Sequence, residues 1–233
     1  MRTAPRQSAS AGGVPLTAAA LLLRIRDPVS DRFHPPLLAS LCLVFAALAA
    51  RAETSPPRDA TALHRWVLAS RDHHGRPFAI VDKRAARLQV FEASGRLVGA
   101  TPVLLGLTPG DEPLVTALGT RPVASLTPQE RTTPAGRFDA EPGLNDRGEP
   151  IVWLDYDAAL AIHRLRPAPA RERRAERLAS ADPAQRRISA GCVVVPVAFF
   201  EDVIAPTLGR GRSTVYVLPE ADAPAGPIPV ASR

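Results

Sequence analysis

Short apolar runs separated by turn residues dominate the chain beyond residue 77. Such runs are typical of β-strands. They occur at 78–81, 88–91, 97–105, 151–154, 159–165 and 213–218. Ser94 and Gly95 lie between the second and third runs, where a hairpin turn is expected. Because there is no βαβ rhythm and no internal repeat, we predict one mostly-β domain with a few short helices.

Three segments carry a helical pattern. The first is predicted to begin at the N-cap Asp59 and to end near Ser70. Its apolar face carries Leu63, Trp66 and Val67. Residues 170–179 have a strong helix propensity but little apolar face. The third helix is expected to have Pro196 at N1 and to reach Leu208. Its buried face is expected to carry Val197, Phe200, Val203 and Ile204.

The first 52 residues resemble a leader for export. Residues 36–52 form an apolar run that ends in Ala50-Arg51-Ala52, the small-x-small form that signal peptidase accepts. The run is short for a permanent membrane span, which needs about 20 residues. We predict cleavage after Ala52 and a periplasmic or cell-wall location without a stable membrane span. An uncleaved N-terminal anchor is the alternative.

The expected organisation of the rest follows from composition. Residues 53–77 are predicted to form a Pro-rich spacer and the first helix, and residues 78–218 the folded domain. Residues 108–135 are rich in Pro, Thr and Gly and are expected to form long loops. Residues 219–233 form a Pro-rich tail. We expect the mature protein to be a monomer.

The charge and the cysteines both change when the leader is removed. The chain carries a formal net charge of +6, of which the first 52 residues supply +4 through six Arg and two Asp. Nucleic acid is therefore not an expected partner. Cys42 leaves with the leader, so Cys192 is the single thiol of the mature chain. A lone thiol in an oxidising compartment is an intermolecular bridge, an inert buried residue or a reactive group.

Cys192 ends a tight loop, Ser189-Ala190-Gly191-Cys192, directly before the third predicted helix. Backbone N–H groups in such a loop can hold a developing oxyanion, and a helix N-terminus favours thiolate over thiol. A small buried cysteine explains this short motif equally well. His163 lies on a predicted strand upstream of the loop. The other histidines of the mature chain lie on the first helix or in a turn, at positions 64, 73 and 74.

The sequence around this loop resembles the active-site signature of the L,D-transpeptidases, which are exported cysteine acyltransferases of the bacterial cell wall. Residues 187–200 are similar to a subgroup that reads Arg-Ile-Ser-Tyr-Gly-Cys-Ile-Asn-Val-Pro. Residues 132–138 resemble the family's Thr-Pro-x-Gly-x-Phe element, and 79–83 with 88–91 resemble its opening hairpin. The likeness covers roughly residues 78–218 and implies a β-sandwich or barrel with a few short helices.

The resemblance also implies an activity. Cys192 would be the nucleophile and His163 its base, acting on peptidoglycan stem peptides at the bond between the L-centre of a diamino acid and D-Ala. An amine of a second stem peptide would resolve the thioester into a cross-link, and water would give L,D-carboxypeptidase activity. The loop and substrate contacts would be Ser189, Gly191, Ala190 and Arg187. No metal or organic cofactor is implied. Roles in wall biogenesis and cell shape, and acylation by carbapenems, are further implications.

Three features depart from the family pattern. Many members have His, and the related subgroup an aromatic residue, where this chain has Ala190. Arg or Asn commonly stands at the position of Val194. Residues 166–187 exceed the usual spacing between His and Cys, and we favour a solvated helical insertion over a lid or an anion-facing surface. A catalytically silent wall-binding module of the same fold is the alternative, as is an enzyme that is mainly an L,D-carboxypeptidase.

Overall fold

The computed structural model of the chain describes residues 57–112 and 121–220. The predicted leader, the segment 113–120 and the end of the tail lie outside these residues. The described residues contain ten strands. They are β1 (Phe78–Asp82), β2 (Arg87–Phe91), β3 (Leu97–Pro102), β4 (Leu105–Gly106), β5 (Gly136–Leu144), β6 (Pro150–Asp155), β7 (Leu160–Arg164), β8 (Arg187–Ser189), β9 (Val193–Val195) and β10 (Ser213–Val217).

The helices are short. The α-helices are α1 (Ala60–Ser70), α2 (Arg174–Ala179), α3 (Val197–Phe199) and α4 (Ala205–Thr207). A π-helical turn, Phe200–Ile204, makes α3 and α4 one continuous helical segment. The 3-10 turns are Val123–Ser125, Ala170–Glu172, Pro183–Arg186 and Leu208–Arg210. Among the described residues, no helix is both long and apolar enough to cross a bilayer.

Eight strands form one sheet in the order β3-β2-β1-β10-β5-β6-β7-β9, and β4 pairs with β8 beside it. The pairs β1–β10, β7–β9 and β4–β8 are parallel, and the others are antiparallel. The sheet curls until its two ends meet just beyond β3. There Leu104 and Val194 exchange two backbone hydrogen bonds of 2.9 Å. The sheet is nearly closed, and the prediction of a mostly-β fold with a few short helices is confirmed.

The core lies inside this curled sheet. Alternate residues of seven of its strands point inward and are almost fully buried, as the period of two in a strand requires. A second cluster covers the outer side of β1, β2 and β10, where Leu63 and Val67 of α1 pack on Phe78 and Tyr216. Each such buried side chain contributes about 1.5–3 kcal/mol relative to its exposed state. The two clusters therefore hold both the sheet and the first helix in place.

The first helix and most strands agree with the sequence prediction. Asp59 caps α1, because its Oδ1 accepts a hydrogen bond from the Ala62 N–H at 2.8 Å. The turn at Ser94 and Gly95 joins β2 to β3, with Gly95 at φ 86°. The apolar run 97–105 is not one strand, however. Pairing with β2 ends at Pro102, and the chain then crosses to pair with β9 and β8.

The region around Cys192 differs from the prediction. Pro196 is the N-cap of the last helical segment rather than its first residue, and β9 separates Cys192 from that helix. Val197, expected to be buried, is 42% exposed, whereas Phe200 and Ile204 are buried as expected. The strands β5, β8 and β9 were not predicted. Two of them have three residues each, too few to establish an alternating pattern.

Candidate active site

Cys192 and His163 lie on one face of the sheet. Ile162 of β7 pairs with Val193 of β9, and both side chains lie in the core. Their neighbours in the register, His163 and Val194, therefore point to the outer face. Cys192 is two residues before Val194 and shares that face. Strand geometry places the Cα atoms of Cys192 and His163 about 8 Å apart, within reach of the two side chains.

The loop that presents Cys192 is closed by its own serine. Ser189 Oγ donates a hydrogen bond to the Cys192 carbonyl at 2.7 Å and accepts one from the Gly191 N–H at 3.1 Å. Gly191 has φ 135°, and a Cβ there would lie 2.9 Å from the Thr132 carbonyl oxygen. Glycine is needed at this position because a side chain would be strained and would also collide. The sequence motif thus encodes one loop conformation.

A buried threonine supports the loop from below. Thr133 is fully buried, and its Oγ1 donates to the Gly191 carbonyl at 2.7 Å. The same oxygen accepts a hydrogen bond from the Gly106 N–H at 2.8 Å. Gly106 is needed there, since a Cβ would lie 2.5 Å from the Thr133 nitrogen. The sequence identified the Thr-Pro-x-Gly-x-Phe element only as a family likeness. The structure adds that its Thr133 supports the loop 189–192 through the Gly191 carbonyl.

Lys83 holds this support in place. Its Nζ is buried and donates to the Gly110 carbonyl, to Asp111 Oδ1 at 2.7 Å and to the Thr133 carbonyl at 2.9 Å. Burial lowers the pKa of Lys83, while Asp111 and Glu220 act against that shift. One feature of the sequence distinguishes this residue: Lys83 is the single Lys of the chain.

The Cys192 thiol is neutral at rest. Burial raises its pKa, and this effect exceeds the opposite one of the Ala161 and Cys192 N–H groups that face the sulfur. Sγ donates a hydrogen bond to the Ala159 carbonyl at 3.4 Å. The prediction of a helix N-terminus that favours the thiolate is wrong, because β9 lies between Cys192 and the helix.

His163 is oriented as a base. Its Nδ1 lies 2.8 Å from the Arg164 carbonyl oxygen. A carbonyl can only accept a hydrogen bond, so Nδ1 carries the proton and the neutral ring keeps a lone pair on Nε2. Burial lowers the pKa of His163 to about 4, with a smaller contribution from the positive charges of Arg166 and Arg174. At neutral pH the ring is therefore an unprotonated acceptor.

The two groups are not hydrogen-bonded to each other at rest. Within residues 57–112 and 121–220, the hydrogen bond of Sγ goes to Ala159 and that of the His163 ring goes to Arg164. In proteins without bound substrate, catalytic contacts are often longer than in the reacting complex. The surroundings thus favour a neutral thiol at Cys192 and a neutral imidazole at His163.

The two expected oxyanion donors, the N–H groups of Gly191 and Cys192, differ in their surroundings. The Gly191 N–H already donates to Ser189 Oγ, which commits it to the loop. The N–H groups of Cys192 and Ala161 face the sulfur. These two are the better-placed donors for an oxyanion that forms on a carbonyl bonded to Sγ. Ala161 was not singled out from the sequence, because its position depends on the pairing of β7 with β9.

The predicted substrate contacts, Arg187 and Ala190, stay predictions. The Arg187 guanidinium donates to Glu220 Oε2 at 2.5 Å and to the Lys83 carbonyl at 2.9 Å. Both bonds use Nη2, and Nη1 is buried without a hydrogen-bond partner within the described residues. Ala190 is partly exposed at the tip of the loop, and its methyl group offers no hydrogen bond.

One residue anchors the insertion at 166–187 to the outer face of the sheet. Leu178 of α2 is buried against Leu104 and Val194, and Val194 shares its face with His163. Ala175, Glu176 and Ala179 are exposed, so α2 is a solvent-exposed helix apart from this contact. Within the described residues no group of three or more His, Cys, Asp or Glu is arranged to hold a metal ion.

Comparison with known proteins gives matches among solved structures. No protein-family model matches the chain, and no curated protein matches it. The catalytic domain of the E. faecium L,D-transpeptidase matches at 18% identity and a TM-score of 0.35, over 61% of this chain and 97% of that one. A longer Enterococcus faecium L,D-transpeptidase structure matches at 17% identity and a TM-score of 0.34, over 61% of this chain. The helical cell shape determining protein Pgp2 from Campylobacter jejuni matches at 12% identity and a TM-score of 0.38, over 68% of this chain and 56% of that one.

This chain spans 49% of the longer Enterococcus faecium structure. Identities of 12–18% concern the fold alone.

Proposed function

We propose that this protein is an exported cysteine acyltransferase that acts on peptidoglycan stem peptides through a thioester on Cys192. The observation that supports it most is the parallel pairing of β7, which carries His163, with β9, which directly follows Cys192. The contact of Nδ1 with Arg164 also leaves the Nε2 lone pair of His163 free, and nucleophilic cysteine catalysis uses such a base to activate the thiol. The substrate class follows from the sequence resemblance around residues 187–200 and 132–138.

The chemistry begins with His163. Its Nε2 takes the proton of the Cys192 thiol while the sulfur attacks the carbonyl carbon between the diamino acid and D-Ala. The carbonyl electron pair moves to oxygen, and the N–H groups of Cys192 and Ala161 donate to that oxyanion. When the carbonyl re-forms, the C–N bond breaks and the D-Ala amine leaves with the proton from Nε2. The product is a thioester on Cys192.

The second half of the reaction reuses the same residues. An amine of another stem peptide, or water, attacks the thioester carbonyl while His163 Nε2 takes its proton. The C–S bond breaks, and Nε2 returns the proton to sulfur. Because burial disfavours both a Cys192 thiolate and a His163 cation, we infer that proton transfer accompanies attack and that no ion pair forms beforehand.

Product analysis tests the proposal. The purified protein is incubated with disaccharide tetrapeptides, and the products are identified by mass spectrometry. We expect release of D-Ala, together with either cross-linked dimers or tripeptides. Cys192→Ala should give none of these products, and His163→Ala should slow turnover by about 10²–10⁴-fold. Equal turnover by His163→Ala and the parent would contradict the assignment of the base.

A silent wall-binding module is the second candidate, and one observation favours it. The thiol donates to the Ala159 carbonyl instead of to His163, and its pKa is raised. A module of this kind would sediment with isolated cell walls without releasing D-Ala. Sedimentation without product, for the parent and Cys192→Ala alike, would favour the module over the enzyme.

A further inference from the structure

The insertion beside the site carries a strong excess of positive charge. Residues 164–187 contain eight Arg and three acidic residues. Surface arginines of this kind often form ion pairs with neighbours and have no ligand. Two of them, Arg166 and Arg174, differ from the others because their charges act on both Cys192 and His163.

Arg166 lies two residues beyond the end of β7, and its buried Nε forms an ion pair but no hydrogen bond within the described residues. It lies three residues after His163, and its Nε is 2.8 Å from Glu149 Oε2. Glu149 directly precedes β6, the strand next to β7. The same carboxylate is shared with Arg164, whose NH2 lies 3.3 Å from Oε1. One glutamate thus pairs with two guanidinium groups. The Arg166 side chain is 26% exposed.

Arg174 is directed to the same face by its helix. It begins α2 and lies four residues before Leu178, so both residues share one side of the helix. Leu178 is buried against Val194, whose face is that of Cys192. Arg174 Nε is held by Glu172 Oε2 at 2.5 Å, and 26% of its side chain is exposed.

The charges of these two residues act on the reactive groups themselves. Arg166 and Arg174 each lower the pKa of the Cys192 thiol and the pKa of His163. Both effects have the sign of a positive potential, which favours a thiolate and disfavours an imidazolium. Other arginines of the segment, such as Arg173 with its 68% exposed side chain paired to Glu176, do not act on either group in this way.

We propose that Arg166 and Arg174 form a carboxylate-binding subsite beside Cys192, which selects ligands that carry a free carboxylate close to the bond under attack. A guanidinium binds a carboxylate through two parallel hydrogen bonds, and an incoming carboxylate replaces Glu149 or Glu172 as partner. Applied to the proposed function, the subsite selects stem peptides whose diamino acid has a free side-chain carboxylate over those in which it is amidated.

Two small alkylating agents test the subsite without any assumption about the natural substrate. Iodoacetate and iodoacetamide are nearly isosteric and differ in one negative charge. The ratio of their rates with Cys192, normalised to the ratio for N-acetylcysteine amide, measures the local preference for an anion. We expect Arg166→Gln and Arg174→Gln each to reduce this ratio by about three- to tenfold. Arg173→Gln is the matched control and should leave it unchanged.

Two further measurements separate charge from folding. Arg166→Lys and Arg174→Lys keep the positive charge and should retain most of the parent's ratio. In the unaltered protein, raising the salt concentration from about 20 mM to about 0.5 M should lower the ratio, since salt screens charges that solvent reaches. The proposal is overturned if the Gln variants change the ratio no more than Arg173→Gln does, or if the parent's ratio does not respond to salt.

The substrate arm uses stem tetrapeptides with a free or an amidated diamino acid carboxylate. The parent should prefer the free acid, and the preference should disappear in Arg166→Gln and Arg174→Gln. If neither peptide is turned over but iodoacetate selectivity depends on the two arginines, the proposed function fails and the subsite stands. If both peptides are turned over equally well and the Gln variants have no effect, the subsite fails and the proposed function stands.

Discussion

Gly191 determines how Cys192 is presented. Its φ of 135° lies in the region that side chains rarely adopt, and the Thr132 carbonyl lies where a Cβ would be. The adjacent Ser189 Oγ then makes both loop hydrogen bonds within a buried space. The backbone geometry of Cys192 therefore depends on the glycine before it.

Gly191→Ala tests this dependence. We expect a loss of about 1–3 kcal/mol in the free energy of unfolding from the strained backbone, and more if the contact with Thr132 does not relax. Urea denaturation measures this change. Gly148→Ala is the control, because Gly148 also has a positive φ but nothing within 4 Å of its would-be Cβ. Equal costs at the two positions would mean that backbone strain explains the effect without the close contact.

The protonation of His163 gives a prediction for the rate. Its pKa is lowered to about 4 by burial, so the unprotonated base is present at all higher pH values. The acid limb of kcat/KM should then have its midpoint near pH 4 rather than near the usual value of about 6.5. A pH–rate profile with the donor peptide measures this midpoint. A midpoint near 6.5 would show that the ring is not desolvated in the working enzyme.

At the scale of elements, the strands could be predicted better than the site. Short apolar runs between turn residues predicted β1, β2 and β6 almost to the residue. The three residues of β9 are all buried, but their run is shorter than the four to eight residues of a typical strand pattern. No strand was therefore predicted between Cys192 and the helix expected to start at Pro196.

The placement of Cys192 beside the strand that carries His163 could not be derived from local patterns. It depends on the parallel pairing of β7 with β9, which a strand pattern does not specify. The pairing of these two residues was proposed through the family resemblance. Arg166 and Arg174 were missed because an Arg-rich helix has no sequence signal for the side on which Leu178 packs.

Thr133 links residues 132–138 to the loop 189–192 that precedes β9. Thr133→Val removes the hydroxyl that serves both the Gly191 carbonyl and the Gly106 N–H. Leaving buried groups unsatisfied costs about 1–3 kcal/mol, and we expect slower acylation of Cys192 as the loop loses its support. Thr132→Val is the control, since its hydroxyl makes a single local contact, with Gln129. Thermal unfolding and acylation rates should change in Thr133→Val far more than in the control.

At the scale of the whole molecule, the partly buried His163 makes stability depend on pH. In the unfolded chain this ring takes up a proton near its usual pKa of about 6.5, whereas in the folded protein it does so near 4. Between these values the unfolded state binds more protons, so stability falls as the pH is lowered. The contribution reaches about 3 kcal/mol at pH 4.

Urea unfolding at pH 7 and pH 4, for the parent and for His163→Gln, measures this contribution. Other titrating groups act in both proteins and cancel in the comparison. The parent should lose about 3 kcal/mol more than His163→Gln over this interval. An equal loss in the two proteins would show that the His163 ring titrates alike in the folded and unfolded states.

Covalent trapping tests the central claim most directly. The purified protein is treated with a carbapenem, a strained cyclic amide that acylates a competent nucleophile, and its intact mass is followed with time. The account predicts one adduct per chain, located on Cys192, absent in Cys192→Ala and formed at least about 10²-fold more slowly in His163→Ala. A parent protein that gives no adduct, while iodoacetamide still alkylates Cys192, would contradict the enzyme and leave the silent wall-binding module.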